Sequence, residues 1–491
     1  MNSTSSQLSL QSSSRVSCFL LVFTFALTSV FVAGCGGGSG STLTGNTAVT
    51  VLASSTANDQ LSQYRLTVQS LTLTSQSGTT VTLLDTPQTA EYIHLNGGVE
   101  PLTTVSIPEG VYTAATATVT PGGPTCVGME ANNGGLLTNG AIGFGPTAAS
   151  GVTVKLPSPI TVTGTSMGLE LNLQVAETVS SFDCVASQLG SATITPTFNL
   201  TALTIATQPT NQSNGKAIGL HGLLAAVETG GSSFSVTGAD GPTWQVASSS
   251  STVFQGVTGA AQLAAGMPVD MDVTIQAGGV LLATRVAVYD ANPSTLTMEN
   301  GPLLQIAASQ STLFAHVDDW AGPITYGLSI TNPFSFNNAV FQISGQLANV
   351  QSLPFTASFN ASNMVDGQNV FMTTHATAES RYPIYVPITT MTLIPQTING
   401  KVISVSTSGN FTVYTVTLAA YDLFPDLAVQ PGQTTVVSNP GNVVIYVDGN
   451  TQLLSSSSIA VGSVLRFNGL VFNDSGTLRM DCAQVNDGVA E

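Results

Sequence analysis

Tyr64-Arg65-Leu66-Thr67-Val68-Gln69-Ser70-Leu71-Thr72-Leu73 alternates apolar and polar residues over ten positions. Strand side chains point to opposite faces with a period of two, so Tyr64, Leu66 and Val68 share one face and the run reads as a half-buried β-strand. Gln76-Ser77-Gly78-Thr79 supplies a turn, and residues 81–84 return as the second arm of a hairpin. Outward from this hairpin, residues 47–53 alternate through Val49 and Val51. Residues 92–95 precede the turn signal Asn96-Gly97-Gly98, and 102–107 lead into Pro108-Glu109-Gly110 and a long strand at 111–119. Residues 152–156, 160–162, 169–175 and 194–203 complete the set, with no helical period among them. Strands at this spacing predict a β-sandwich over residues 46–205. The Gly- and Asn-rich insertion at 122–145 predicts a surface loop.

Residues 207–214 are polar, contain Pro209 and read as a linker. A second kind of unit follows. It opens with HGLLAAVETGGSSFSVTG (221–238), continues with PTWQVASSSSTVFQG (242–256) and closes with LAAGMPVDMDVTIQAGGVLLATRVAVYD (263–290). The plan returns at the end of the chain as INGKVISVSTSGNFTVYTVTL (398–418), VVIYVDGNTQLL (443–454) and IAVGSVLRFNGLVFNDSGTLRMDCAQVND (459–487), with Gly462 in the place of Gly266. A weaker copy, FQISGQLANVQSLPFTASFNASNMVDGQNVFMTTHA (341–376), lies between them. Repeats of this length predict an array of about three small β-barrels in series, at 215–290, 297–395 and 397–491. The expected fold class is all-β.

Composition narrows the function. Hydrophobic residues make up 43% of the 491 residues, enough for real cores, while charged residues make up only 7%, against a usual ~25%. Nine basic residues face 26 acidic ones, a net charge of -17, which excludes a basic nucleic-acid face and disfavours direct docking on anionic headgroups. Four scattered histidines and the absence of CxxC or HExxH spacing speak against zinc, and no cofactor is expected. No GxSxG elbow presents a nucleophilic serine.

The N-terminus carries a targeting signal. Residues 1–15 are Ser-rich with one basic residue, Arg15, and 16–33 are mostly apolar. Ser17, Thr24, Thr28 and Ser29 interrupt the apolar run, which fits a signal peptide better than a membrane span. Val32-Ala33-Gly34-Cys35 resembles the bacterial lipobox. The resemblance implies that residues 1–34 are a lipoprotein signal peptide and that Cys35 takes a diacylglycerol and acyl (palmitate-type) chains. Residues 35–45 are then a flexible Gly/Ser leash. Gly36 after the cysteine fits outer-membrane sorting in diderm lipoproteins.

The order of motifs over 46–205 is a hairpin, LLD, LNGG, IPEGVYTAATATV, VKLPSPITVTG, LELNLQV and ITPTFNL. It resembles the uncharacterised prealbumin-like domain near the N-terminus of bacterial surface lipoproteins. The later units resemble small OB-like barrel repeats of envelope proteins. Neither resemblance carries a catalytic residue.

Candidate sites are few. Cys126 and Cys184 lie in the first domain of an exported protein, and a disulfide between them is expected from the compartment. Cys482 reads as a small buried residue. Asp270 and Asp272 share one strand face and form half of a calcium site or, as the favoured reading, two solvated surface positions. Trp244, Trp320 beside Asp318-Asp319, Tyr382 and Tyr385 are the candidate aromatic platforms for a sugar. Trp244 alternates inward with Val246, a loop with one buried Trp is the favoured reading at Trp320, and an interdomain linker is the favoured reading of 382–387. The expected function is a non-enzymatic binding or structural module, lipid-anchored at the cell envelope, with a polysaccharide or an envelope protein as partner. A hydrolase or its accessory module, and an adhesion scaffold, are the alternatives.

Overall fold

The computed structural model describes residues 43–56, 63–93, 95, 99–125, 128–130, 135–137, 150–180, 193–203, 216–228, 230–239, 241–291, 296–317, 319–322, 332–345, 347, 350–375, 385–419, 422–428, 432–453 and 458–487. Strands account for 61% and helix for 5%, so the chain is all-β, with several sheets and small barrels. Among the described residues no helix is long and apolar enough to cross a membrane.

Residues 46–203 build a ten-stranded sheet and two two-stranded ones, Gly128–Glu130 with Gly135–Leu137, inside the expected loop at 122–145, and Val179–Ser180 with Thr193–Ile194. The ten-stranded sheet organises the body. Its path runs from Thr80–Leu84 through Gln63–Ser75, Gly110–Thr125, Ser150–Lys155, Phe198–Leu203, Ser166–Leu173 and Asn46–Ser55 to Glu100–Pro108. Ile160–Val162 and Gln88–Glu91 add to its sides. The two ends of the path lie against each other, so the sheet curls around one apolar core that holds Tyr64, Leu66, Val68, Leu71, Leu73, Tyr92 and Phe198. Backbone pairing runs along the ten strands without a break, and two separate layers are not marked by it.

Tyr64, Leu66 and Val68 face the core as their alternation requires, yet Leu71 and Leu73 face it as well. A register shift between Val68 and Ser70 against Gly110–Thr125 takes up Gln69 and resets the alternation. Two sequence expectations change. Tyr92 and Ile93 lie in a turn after the short strand Gln88–Glu91, held by Glu91 Oε1, which accepts from Tyr64 N at 2.6 Å and Ile93 N at 3.0 Å. Val175 opens a one-turn helix, Val175–Thr178, rather than ending a strand.

Three further sheets close on themselves with one connectivity. The first uses Lys216–Val227, Ser233–Gly238, Thr243–Ala247, Pro268–Ile275 and Leu281–Val288. The second uses Leu296–Ala307, Thr312–Ala315, Asn332–Ser335, Asn369–His375 and Val386–Leu393, and the third Gln396–Ser408, Phe411–Leu418, Asn442–Val447, Val464–Asp474 and Thr477–Asp487. In each, the first strand pairs with the second and the fourth, and the third runs parallel to the fifth. The opening strand of the second sheet, at 296–307, lies upstream of the segment in which the sequence shows a repeat.

One joint recurs in all three. A glycine with positive φ precedes the fourth strand: Gly266 (86°), Gly367 (97°) and Gly462 (94°). Their amides donate to Leu224 O (2.7 Å), Leu303 O (2.7 Å) and Val402 O (2.8 Å), and those three residues donate back to Met267, Gln368 and Ser463 carbonyls at 2.9 Å. A bulge follows at the same place in each opening strand, between Leu224 and Ala226, Leu303 and Gln305, and Val402 and Ser404. Bulges bend a strand, and a bent strand is what lets a small sheet close.

The closed sheets pack back on the first one. Trp244 Nε1 donates to Pro101 O at 3.0 Å, and Leu52 joins the apolar cluster of the first closed sheet. The Arg65 guanidinium lies 4.1 Å from the Trp320 ring centroid. Arg466 Nη1 donates to Ser55 O at 3.4 Å. Phe411, Val413, Tyr446, Leu470 and Phe472 of the last sheet pack into the core of the middle one. Residues 43–491 form one compact unit.

Candidate functional site

The hairpin turn at 75–79 and the Pro108-Glu109-Gly110 break between two strands border a cleft of about 580 Å³. Ser75, Gln76, Ser77 and Thr79 line one side and Pro108, Glu109, Val111 and Tyr112 the other. The turn is tied by its own hydroxyls: Ser75 Oγ meets Ser77 Oγ at 2.8 Å and accepts from Thr79 N at 3.0 Å. Gly78 carries the positive φ (87°) that the turn needs. Gln76 N donates to Val111 O at 3.0 Å and joins the two sides. Glu109 fastens three segments: its Oε1 accepts from Gly164 N at 2.9 Å, and its N donates to Gly45 O at 2.9 Å. Tyr112 is buried with its hydroxyl on Pro108 O at 2.8 Å, so it braces the wall and offers no exposed ring. Hydroxyls that both donate and accept, one amide and one carboxylate suit a polar, polyhydroxylated ligand. The volume falls within the usual range of small-ligand sites, ~300–1,000 Å³.

The tryptophans are not surface platforms. Trp244 is buried, its ring covers Gly238 and its N–H is spent on Pro101. Trp320 is half-buried under Arg65. Both are consumed by the packing of closed sheets on the first sheet, which their sequence neighbourhoods do not reveal. Tyr385 stays 37% exposed and stands edge-on to Phe314 at 6.2 Å. Cys35, Cys126, Cys184, Tyr382, His94 and Asp318 lie outside the described residues.

Asp270 and Asp272 are buried rather than solvated. Arg285 Nη2 donates to Asp270 Oδ2 at 2.7 Å and Arg285 Nε to Asp272 Oδ2 at 3.0 Å. Tyr289 Oη donates to Asp270 Oδ2 at 2.7 Å and lies 3.1 Å from Ser344 Oγ in the next closed sheet. The guanidinium occupies the place a metal cation would need. Burial works against the Arg285 charge, and the two carboxylates outweigh it, holding the group charged. Burial, followed by the Asp270 charge, also pushes the Tyr289 phenol up. This network joins two sheets. The one sign of it in the sequence is Arg285 itself, a lone charge in the strand LLATRVAV.

Three buried acids escaped the sequence reading. Burial raises Glu299 from 4.5 to about 8 against a hydrogen bond from Thr374, and raises Asp366 well above the carboxylate range. Burial and then the Asp448 charge raise Asp481 to about 7. Cys482 is buried and free, with its thiol pushed up by burial and then by Asp481. Among the described residues no group of three or more His, Cys, Asp or Glu side chains gathers in metal-binding proximity. No protein-family model matches the sequence, and a search of curated proteins finds no similar one.

Proposed function

We propose that the protein is a lipid-anchored surface protein of the bacterial cell envelope, sorted to the outer membrane, that binds a polysaccharide without transforming it. In this reading the first sheet is a prealbumin-like domain and the three closed sheets are OB-like modules that brace it. The observation that carries the proposal is the hydroxyl-lined cleft at Ser75–Thr79 and Glu109. Glu109 N is bonded to Gly45 O, so the cleft lies where the chain arrives from Cys35. Ten residues reach at most ~35 Å, so an anchored chain holds this cleft close to the bilayer surface, where envelope glycans are dense.

Titration of the full-length chain in detergent with envelope oligosaccharides, followed by calorimetry, tests the ligand. Saturable heat that disappears in Ser77→Trp, which fills the cleft from an exposed turn, supports the reading. Saturable heat that Ser77→Trp leaves unchanged moves the ligand elsewhere, and no heat with any glycan class ends the polysaccharide reading. The anchor has its own test. Cys35→Ala is expected to leave an unprocessed precursor or to release the protein from membranes, and unchanged lipid labelling of that variant refutes the anchor.

A further inference from the structure

In the last closed sheet, the turn after Asn442–Val447 folds over the fifth strand, Thr477–Asp487. Thr451 Oγ1 donates to Cys482 O at 2.8 Å and fastens it there. Asp448 heads the turn, its Oδ1 accepting from Asn450 N at 2.8 Å and its Oδ2 from Asn450 Nδ2 at 3.1 Å. On the fifth strand Met480, Cys482 and Val485 fill the barrel core, which leaves Asp481 on the outer face. A register shift, with Gly469 opposite Cys482 and Asn468 opposite Gln484, takes up Ala483 and brings Gln484 to that same face. The parallel ladders set Tyr446 beside Asp481 and Gln452 beside Gln484.

Two of these oxygens lack partners. Asp481 and Gln484 are each 6% exposed, and neither Asp481 Oδ2 nor Gln484 Oε1 accepts a hydrogen bond. Among the described residues Asp481 makes no ion pair. A buried acceptor left unsatisfied is costly, and a buried carboxylate beside a second one more so. Arg479, two residues along the same face, is engaged by Asp474 and the Tyr446 hydroxyl, and among the described residues no cation pairs with Asp481.

We propose that Asp448, Asp481 and Gln484, with Gln452 alongside, form a calcium-binding site. Every donor is oxygen, which suits a hard cation, and water completes the six to eight ligands that calcium takes. The Cys482 sulfur is bonded to Gln484 O on the core side, so it is not available to recruit a thiophilic metal. Two carboxylates and amides place the affinity with extracellular calcium modules, Kd ~0.1–1 mM. This site is independent of the polysaccharide reading.

Tyr446 supplies a reporter, because a terbium ion bound at Asp481 sits next to its ring and takes up its excitation. The full-length chain is titrated with terbium under tyrosine excitation and then with calcium. Saturable emission, displaced by calcium with half-effect in the range ~0.1–1 mM and weakened about tenfold or more in Asp481→Asn, is expected. Asp448→Asn, in the turn, is a second variant expected to weaken it equally, and Asp85→Asn, exposed on the first sheet, is expected to leave it unchanged. Emission that fails to saturate, that calcium does not displace, or that both Asp481→Asn and Asp448→Asn retain in full overturns the site.

Discussion

Replacing Glu299 by Gln is expected to change how the stability of this protein responds to pH. Glu299 lies in the opening strand of the second closed sheet, fully buried, with its Oε1 accepting from Thr374 Oγ1 at 3.2 Å. Burial lifts the carboxyl from 4.5 to about 8, and the Thr374 bond opposes only part of that lift. In the unfolded chain the group returns to its ordinary value. Between about pH 4.5 and 8 the folded state therefore keeps a proton that the unfolded state gives up, and stability falls as pH rises through this window. The contribution is intact below pH 4.5 and fully lost above pH 8. At ~1.4 kcal/mol for each pH unit, the loss is on the order of 5 kcal/mol. Glutamine keeps the acceptor for Thr374 and cannot ionise. Urea unfolding of both proteins near pH 5 and near pH 9 reads the effect, and the difference between them cancels the other raised acids, Asp366 and Asp481. Near pH 5 the two should lie within ~1 kcal/mol, and near pH 9 the Gln variant should lead by several kcal/mol. A difference that stays constant across this range would falsify the argument that Glu299 is buried and protonated.

Arg285→Ala leaves Asp270 and Asp272 buried without their counter-charge, and should cost ~3–5 kcal/mol in chemical denaturation. Gly462→Ala strains a backbone at φ 94° in open space, for ~1 kcal/mol. Gly367→Ala adds a Cβ 2.8 Å from the Phe424 ring and should cost at least ~1 kcal/mol more, so thermal melts should rank the two in that order. Trp244→Phe removes the bond to Pro101 O and should cost ~1–3 kcal/mol, with faster amide exchange along Glu100–Pro108 as the local readout.

The strands of the first sheet and the first and last closed sheets were legible because one face of each meets the core and the other does not, with a period of two. The opening strand of the middle sheet was not. Its Gly301 and Leu303 match Gly222 and Leu224, and Gly400 and Val402, while Pro302 stands where the other copies have Leu223 and Lys401. The span to its glycine joint at Gly367 is 66 residues, against 44 in the first copy and 62 in the last, so length alone does not hide it, and a proline inside the run reads against a paired strand. Asp270 and Asp272 were misread for a different reason. Alternation tells which residues share a face, and it cannot tell that a neighbouring sheet will cover the second face. For Trp244 and Trp320 burial was the favoured reading, and what stayed hidden was the partners, Pro101 and Arg65, which lie more than a hundred residues away in the chain. The cleft was half visible: PEGVY marks a turn before a core strand, and only folding brings the Ser75–Thr79 turn opposite it.

Arg466 reaches Ser55 across 411 residues of chain, so this contact is among the last that a chain delivered from its N-terminus can make. A polypeptide delivered from its N-terminus presents the first sheet long before Arg466 emerges. Until then the end of Asn46–Ser55 waits without its late partner, and contacts of such separation form slowly because the loop must close first. A chain cut short before the last barrel should therefore hold a frayed first strand, open to proteases. In this way the final hundred residues act as a completeness check on the first.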